Sequence, residues 1–198
     1  RVAHPPEDER NFHVFYQILH GMSDACRADL HLTTASDYQI LKTLPSSTSL
    51  LATVGNLDKS DAETYTDLLE RLVRLGFTEE DIESMAQVLA AILHLGNVSF
   101  GEKRNGAVSL HASTDNSEHD DGEAFIKNTD TLEIAAKLLG VDCEALGTAL
   151  TRLNLKSIQS AVLPLTRVKA ELSRDSLIGE IYERLFEWIV SKLNEAVE

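Results

Sequence analysis

Apolar residues recur at helical spacing over most of this chain, and the runs between them hold residues that stop helices. Residues 1–8 form an extended lead-in, because Pro5-Pro6 disfavours helix before it. Phe12, Phe15, Tyr16 and Leu19 then share one face of a first helix. Gly21 is its expected stop, since glycine tolerates the left-handed turn after a helix. A short second helix fits residues 23–30. Residues 31–58 are rich in Ser and Thr, contain Pro45 and Gly55, and read as loops with short turns. Ser60 opens the next helix: its hydroxyl caps the backbone while Glu63 reaches back. Tyr65, Leu68, Leu69, Leu72 and Val73 make its apolar face, and Gly76 ends it. Thr78 caps the following helix, with Glu79, Glu80 and Asp81 at the positive end of its dipole. Ile82, Met85, Ala86, Leu89 and Leu93 form its stripe, and Val88, Ala90, Ala91, Ile92 and Leu95 fill the other sides. A helix apolar all round is a buried one, so this is the expected core helix.

In the second half, residues 98–100 and 107–111 read as two short strands joined through 102–106. Residues 112–123 form a polar, acidic loop. Residues 129–139 and 142–153 read as two helices separated by Gly140. Residues 155–165 are extended and contain Pro164. A long last helix starts near Arg167 and carries Ile178, Ile181, Tyr182, Leu185, Trp188, Ile189 and Leu193. Gly179 inside it points to close packing or a local bend, since glycine costs about 1 kcal/mol there relative to Ala. The predicted fold class is mainly α: an irregular helical bundle with a small β element and a long C-terminal helix. There is no internal repeat and no heptad run long enough for a coiled coil.

Composition narrows the function. The 198 residues suffice for one domain with a core. Net charge is −14, with 32 acidic residues against 18 basic, which argues against a nucleic-acid or anionic-membrane surface. Lys103-Arg104 is the only adjacent basic pair. No apolar run is long enough to span a bilayer, and the polar, proline-bearing start is no signal peptide. The chain does not begin with Met, so it reads as cut from something longer or processed. Cys26 and Cys143 lie far apart without metal-ligand spacing, which fits a reduced, cytoplasmic setting.

Candidate chemistry is sparse. A phosphate cradle needs a Gly-rich run of backbone N–H groups and a Lys, and no G-x-x-x-x-G-K-S/T occurs. Aligning Gly122 at position six of an EF-hand loop puts Ser117 at position one and Asn128 at twelve, so both key ligands fail. His111 and His119 read as surface histidines. His13 and His94 lie in apolar helical contexts with no nucleophile near in sequence, and a hydrogen-bonded structural role is expected for them. The aromatic groups Phe12, Phe15, Tyr16 and Tyr182, Phe186, Trp188 read as core packing. No nucleophile–base–orienter set is visible.

Four stretches, in order, resemble the myosin motor family. Residues 9–17, ERNFHVFYQ, are close to the family's GERNFHIFYQ. Residues 92–100, ILHLGNVSF, are close to ILHLGNIxF, and residues 135–142, AAKLLGVD, also fit. From Arg174 to Asn194 the chain is similar to RDALAKxIYxRLFxWLVxxIN, departing at Ile178 and Gly179. Order and spacing agree along essentially the whole chain. The family's NxNSSRFG and DIxGFE patterns are missing, as is its P-loop. The resemblance therefore implies a fragment lying between switch I and switch II, within the upper 50-kDa subdomain, over residues 1–198.

That resemblance implies a part of an actin-based, ATP-driven motor. The fragment forms one side of the actin-binding cleft and couples actin to the nucleotide site. No catalytic or cofactor residue is expected here; ATP and Mg belong to the parent motor. The implied partners are F-actin and the remainder of the heavy chain, with no nucleic acid and no membrane insertion, at the cytoskeleton. Residues 155–165 occupy the position of the family's cardiomyopathy loop, and their shortness leans towards an unconventional myosin. The candidate actin contacts are Arg152, Lys156, Ser157, Ile158, Gln159, Ser160, Val162 and Pro164. Counting back from Asp175 puts the family's regulatory position at Gln159 or Ser160; only Ser160 is phosphorylatable, and a phosphate adds roughly −1.5 to −2 charge. The bland reading is an ordinary surface hairpin. The acidic loop falls near the family's loop 4 and reads first as a solvated charge run. The reading from another class is a stand-alone helical interaction module, whose apolar faces would be self-sufficient. A motor fragment instead leaves apolar surface exposed where missing parts pack.

Overall fold

The computed structural model describes residues 2–5, 10–42, 60–103, 122–155 and 161–196. Seven helices and two short hairpins follow in the order α1 (His13–Gly21), α2 (Asp24–Asp29), α3 (Asp61–Arg74), α4 (Glu79–Gly96), β1 (Phe100–Lys103), β2 (Glu123–Ile126), α5 (Thr129–Leu139), α6 (Cys143–Thr151), β3 (Arg152–Leu155), β4 (Ala161–Pro164) and α7 (Arg167–Glu195). The mainly helical class with a small β element and a long last helix is what the hydrophobic pattern predicts. Two 3-10 turns, Ala35–Asp37 and Gln39–Leu41, stand within the predicted loop region.

The starts of the helices follow local chemistry. Ser60 Oγ accepts from Glu63 N–H while Glu63 Oε2 accepts from Ser60 N–H at 2.7 Å. Thr78 and Asp81 make the same reciprocal pair at the start of α4. Each closes two backbone donors that a helix end leaves open. Past its polar first turns α4 has no solvated side: Met85, Ala86 and every residue from Leu89 to Gly96 are buried. It packs on α5 and α7, while α1 packs on α3. A smaller cluster of Leu72, Phe77 and Met85 is closed by Trp188, Ile189 and Leu193 of α7.

Four expectations change. Gly21 ends α1 without a left-handed turn; its successor Met22 is extended, at φ −71°. Glycine is needed because a Cβ there would sit 2.4 Å from the Cβ of Tyr65, where α3 crosses. The first hairpin pairs Phe100–Lys103 with Glu123–Ile126, register Phe100↔Ile126, so the return strand comes from the end of the acidic stretch. Residues 107–111 lie outside the described ones. Helix α6 stops at Thr151, two residues early, because Leu165 N–H takes the Thr151 carbonyl at 2.8 Å and turns the chain into β3. Gly179 has no described neighbour within 4 Å of where a Cβ would stand, so it serves no close packing among the described residues, and α7 runs unbroken through it.

Gly21→Ala should therefore cost about 1–3 kcal/mol by overpacking. Urea unfolding checks this; an unchanged midpoint would remove Tyr65 as the reason for the glycine.

Candidate functional site

The stretches that carry the family resemblance meet one another in space. Asn11 is buried; its amide donates to the carbonyls of Val2 and Ile40, both at 2.8 Å, and its Oδ1 accepts from Phe12 N–H. One side chain thus ties the lead-in, α1 and the turn before α3. Arg174 on α7 donates to the Val98 carbonyl at 2.7 Å and pairs with Asp175. Asp175 in turn meets His4 Nε2 at 2.7 Å. Phe12 stacks on Tyr182 with ring centroids 4.6 Å apart, and Phe15 meets the same ring at 6.0 Å. Asn97, capping α4, accepts from Gln39 N–H and donates to the Asp37 carbonyl. Asn128 continues this chain of amides by donating to the Asn97 carbonyl and accepting from Ser99 N–H. α1, α4 and α7 are fastened to each other by side chains rather than by a shared sheet. Sequence reasoning missed the roles of Asn11, Asn97 and Asn128, for which no periodic signal exists.

Electrostatics reinforce the same joints. Asp61 at the start of α3 takes Arg10 at 2.9 Å and His20 at 3.2 Å. Burial pushes its carboxyl up, but the hydrogen bonds and charges of Arg10 and His20 outweigh that and hold it below the usual range. Arg10 also lies 3.9 Å over the Tyr16 ring. Asp81 is held low by the Thr78 backbone and by Lys192, which joins α4 to the end of α7. The capping carboxylates Glu63 and Asp81 occupy backbone donors at the starts of α3 and α4, so neither end is free to cradle a phosphate.

The candidate contact element is the hairpin β3–β4. Its register pairs Arg152 with Pro164, Leu153 with Leu163, and Asn154 with Val162. Cross-strand partners share a face, so Arg152 and Pro164 lie on one face of the ribbon; the side chain of Val162 lies outside what the structure describes. Lys156, Ser157, Ile158, Gln159 and Ser160 lie outside the described residues. So do Arg104 and most of the acidic loop, through residue 121. Arg152 and Pro164 are exposed. Arg152 shares an open groove with Lys103, Glu123, Glu133 and Glu144, so its surroundings are acidic on balance. The opposite face carries Leu153 and Leu163, 47% and 49% exposed. Sequence reasoning missed this apolar pair because it placed Leu153 on the preceding helix. The alternation Arg152, Leu153, Asn154, Leu155 is the signal that identifies a strand there.

The hairpin does not hang free. Leu165 N–H bonds to Thr151, the Leu165 carbonyl accepts from Ala124 N–H of β2, and the next residue, Thr166, caps α7 by accepting from Lys169 N–H. The ribbon is thus pinned to α6, β2 and α7 at its base. Along α7 itself, Ala170 and Ile178 are buried against the core, whereas Val168, Leu172, Phe186 and Val190 are 46%, 59%, 60% and 38% exposed, so Phe186 is not the core residue its aromatic grouping suggested. This helix is apolar on two sides and covered on one.

His94 has the structural role its context suggests. It is buried, its Nε2–H donates to the Leu30 carbonyl at 3.0 Å, and its ring meets Tyr38 edge-on at 5.8 Å. Burial lowers its pKa below 6.5, with the Leu30 bond opposing. In the unfolded chain the ring protonates near 6.5, so unfolding takes up a proton in the window below that value. Its contribution is full above pH 6.5 and declines as pH falls towards the lowered folded value. Denaturation midpoints should fall between pH 7.5 and pH 5.5, with a shallower slope in His94→Gln; equal slopes would take His94 out of the account.

The family model for the myosin head (motor domain) matches residues 1–198. Among curated proteins, the chain is 32% identical over 200 residues to unconventional myosin-Ic of Danio rerio, covering 100% of this chain and 17% of that protein. It is 34% identical over 209 residues to myosin IE heavy chain of Dictyostelium discoideum (100% and 18%), and 33% identical over 198 residues to myosin-3 of Arabidopsis thaliana (100% and 15%). The chain spans less than a fifth of the length of these relatives. With its full length matched and its matching stretches interlocked in one core, the chain belongs to the myosin motor-domain family.

Proposed function

We propose that this chain is the upper 50-kDa subdomain of an actin-based motor, lying between switch I and switch II. It forms one wall of the actin-binding cleft at the cytoskeleton, with F-actin and the rest of the heavy chain as partners. The observation that carries this reading is the base of the β3–β4 hairpin. A load on the ribbon reaches α7 through Leu165 and Thr166 with no intervening loop, and α7 is fastened to α1 by the Phe12–Tyr182 stack. A rigid path of that kind passes a change at the hairpin to both ends of the chain, where the nucleotide switches are expected. The exposed apolar side of α7 fits a face that the rest of the heavy chain covers.

Turnover itself is assigned elsewhere. The starts of α3 and α4 are closed by their own capping side chains, and the carboxylates Asp61, Asp81 and Asp175 are taken by Arg, His or Lys. ATP and Mg are assigned, on this reading, to the parent motor. Among the described residues, Arg152, Leu153, Leu163 and Pro164 are the proposed contacts to actin. Lys156, Ser157, Ile158, Gln159, Ser160 and Val162 are the further proposed contacts, and Ser160 is the proposed phosphosite that adds negative charge opposite an acidic filament.

In the parent motor, Leu163→Asp should raise the actin concentration needed for half-maximal ATPase activation by about tenfold, equal to about 1.4 kcal/mol. Actin-activated ATPase and co-sedimentation check it. Unchanged actin dependence in both would overturn the hairpin as the contact element. Phosphopeptide mapping of the native protein should find modified Ser160; its consistent absence would remove that site.

A further inference from the structure

Helix α7 rests on two separate cores. Its first half, through Ala170 and Ile178, is buried in the main one. Its last turns, through Trp188, Ile189 and Leu193, close the small cluster of Leu72, Phe77 and Met85. That cluster lies at the corner where α3 turns into α4. Gly76 takes the left-handed backbone there, at φ +86°, and Phe77 N–H returns to the Leu72 carbonyl at 3.1 Å. Trp188 meets the Phe77 ring edge-on at 5.9 Å. Apolar contact is non-directional, so it leaves the helix free to turn or slide on the corner. Direction comes from one ion pair. Lys192 Nζ lies 3.1 Å from each carboxylate oxygen of Asp81, across 111 positions of sequence. Asp81 is itself fixed, because its Oδ2 accepts from Thr78 N–H at 3.0 Å and its own N–H donates to Thr78 Oγ1 at 3.1 Å. Lys192 Nζ also stands 5.7 Å from the centre of the Trp188 ring.

These contacts close a ring. Tyr182 of α7 is stacked on Phe12 at the start of α1, α1 packs on α3, α3 turns at Gly76 into α4, and the first turn of α4 holds Lys192. Tyr182 and Lys192 are about 15 Å apart along the helix. We propose that Asp81 and Lys192 are positioning residues of the motor: they set the rotation of the last turns of α7, and so the stance of the segment that follows Glu198. This rests on the motor reading, in which that segment runs to switch II. On that reading actin is met beyond the other end of α7 and ATP is held outside this chain, so the pair touches neither and acts on their coupling.

The test uses the parent motor. Lys192→Met keeps an aliphatic stem beside Trp188 and removes the charge; Asp81→Asn keeps an acceptor for Thr78 N–H and removes the charge. Each should lower the maximal actin-activated ATPase rate by about threefold, the size expected of a partly exposed charged pair. Basal turnover and the actin concentration for half-maximal activation should stay unchanged, in contrast to Leu163→Asp. The doubly substituted motor should lose no more than either single variant, because both remove the same bond. Variants that match the unsubstituted motor throughout, losses that add in the double variant, or a shift in the half-maximal actin concentration would overturn the proposal. So would an equal fall in basal and activated rates, which marks a pair that only stabilises the fold. An unsubstituted parent that actin does not activate would instead overturn the motor reading, and this inference with it.

Discussion

The rest of the structure depends on a single constraint: α4 has no polar side over its last two turns. Leu89 to Gly96 are buried all round, so cover must arrive from every direction. It is supplied by α5 and α7, by the turn at 39–41, and through α7 by α1. Removing a core leucine from such a helix costs about 2–5 kcal/mol. His94 and Asn97 are the polar positions this helix end retains, and each is used to hold a loop: Leu30 in one case, Asp37 and Gln39 in the other.

Because α4 carries the core, the other helices can be joined by few, specific contacts. Phe12 on Tyr182, Arg174 on Val98 and His4 on Asp175 each bridge segments far apart in the chain. Such joints are individually small, about 0.5–1.5 kcal/mol beyond burial for an aromatic pair. Their value lies in position: they tie the lead-in, the start of α1 and the end of α4 to the one long helix α7. Mechanical coupling follows if the segments beyond the two ends of the chain respond to nucleotide.

Much of this was legible in the sequence. Helix starts at Ser60, Thr78 and near Arg167 were readable because caps are local chemistry, and the burial of α4 was readable because an apolar run has no other home. What failed was non-local. Gly21 looked like a turn residue, but its reason is Tyr65 on another helix. The end of α6 is set by Leu165, which lies 14 positions past Thr151. The partner of β1 arrives from Glu123, across a stretch whose composition says only that it is acidic. Of the candidate contacts, Arg152 and Pro164 fall on one ribbon face by register, while the apolar pair Leu153–Leu163 on the other face emerged only once the strands were aligned.

The exposed stripe of α7 and the apolar pair on the hairpin are among the apolar surfaces that the described residues leave uncovered, and the reading of the chain's role turns on what covers them. The most direct measurement is the sequence of the parent transcript on both sides of the 198 residues. The account predicts a P-loop and a switch I motif upstream of Arg1 and a switch II motif just downstream of Glu198. A complete reading frame that starts near Arg1 and stops near Glu198 would contradict it, and would leave a helical binding module without a motor.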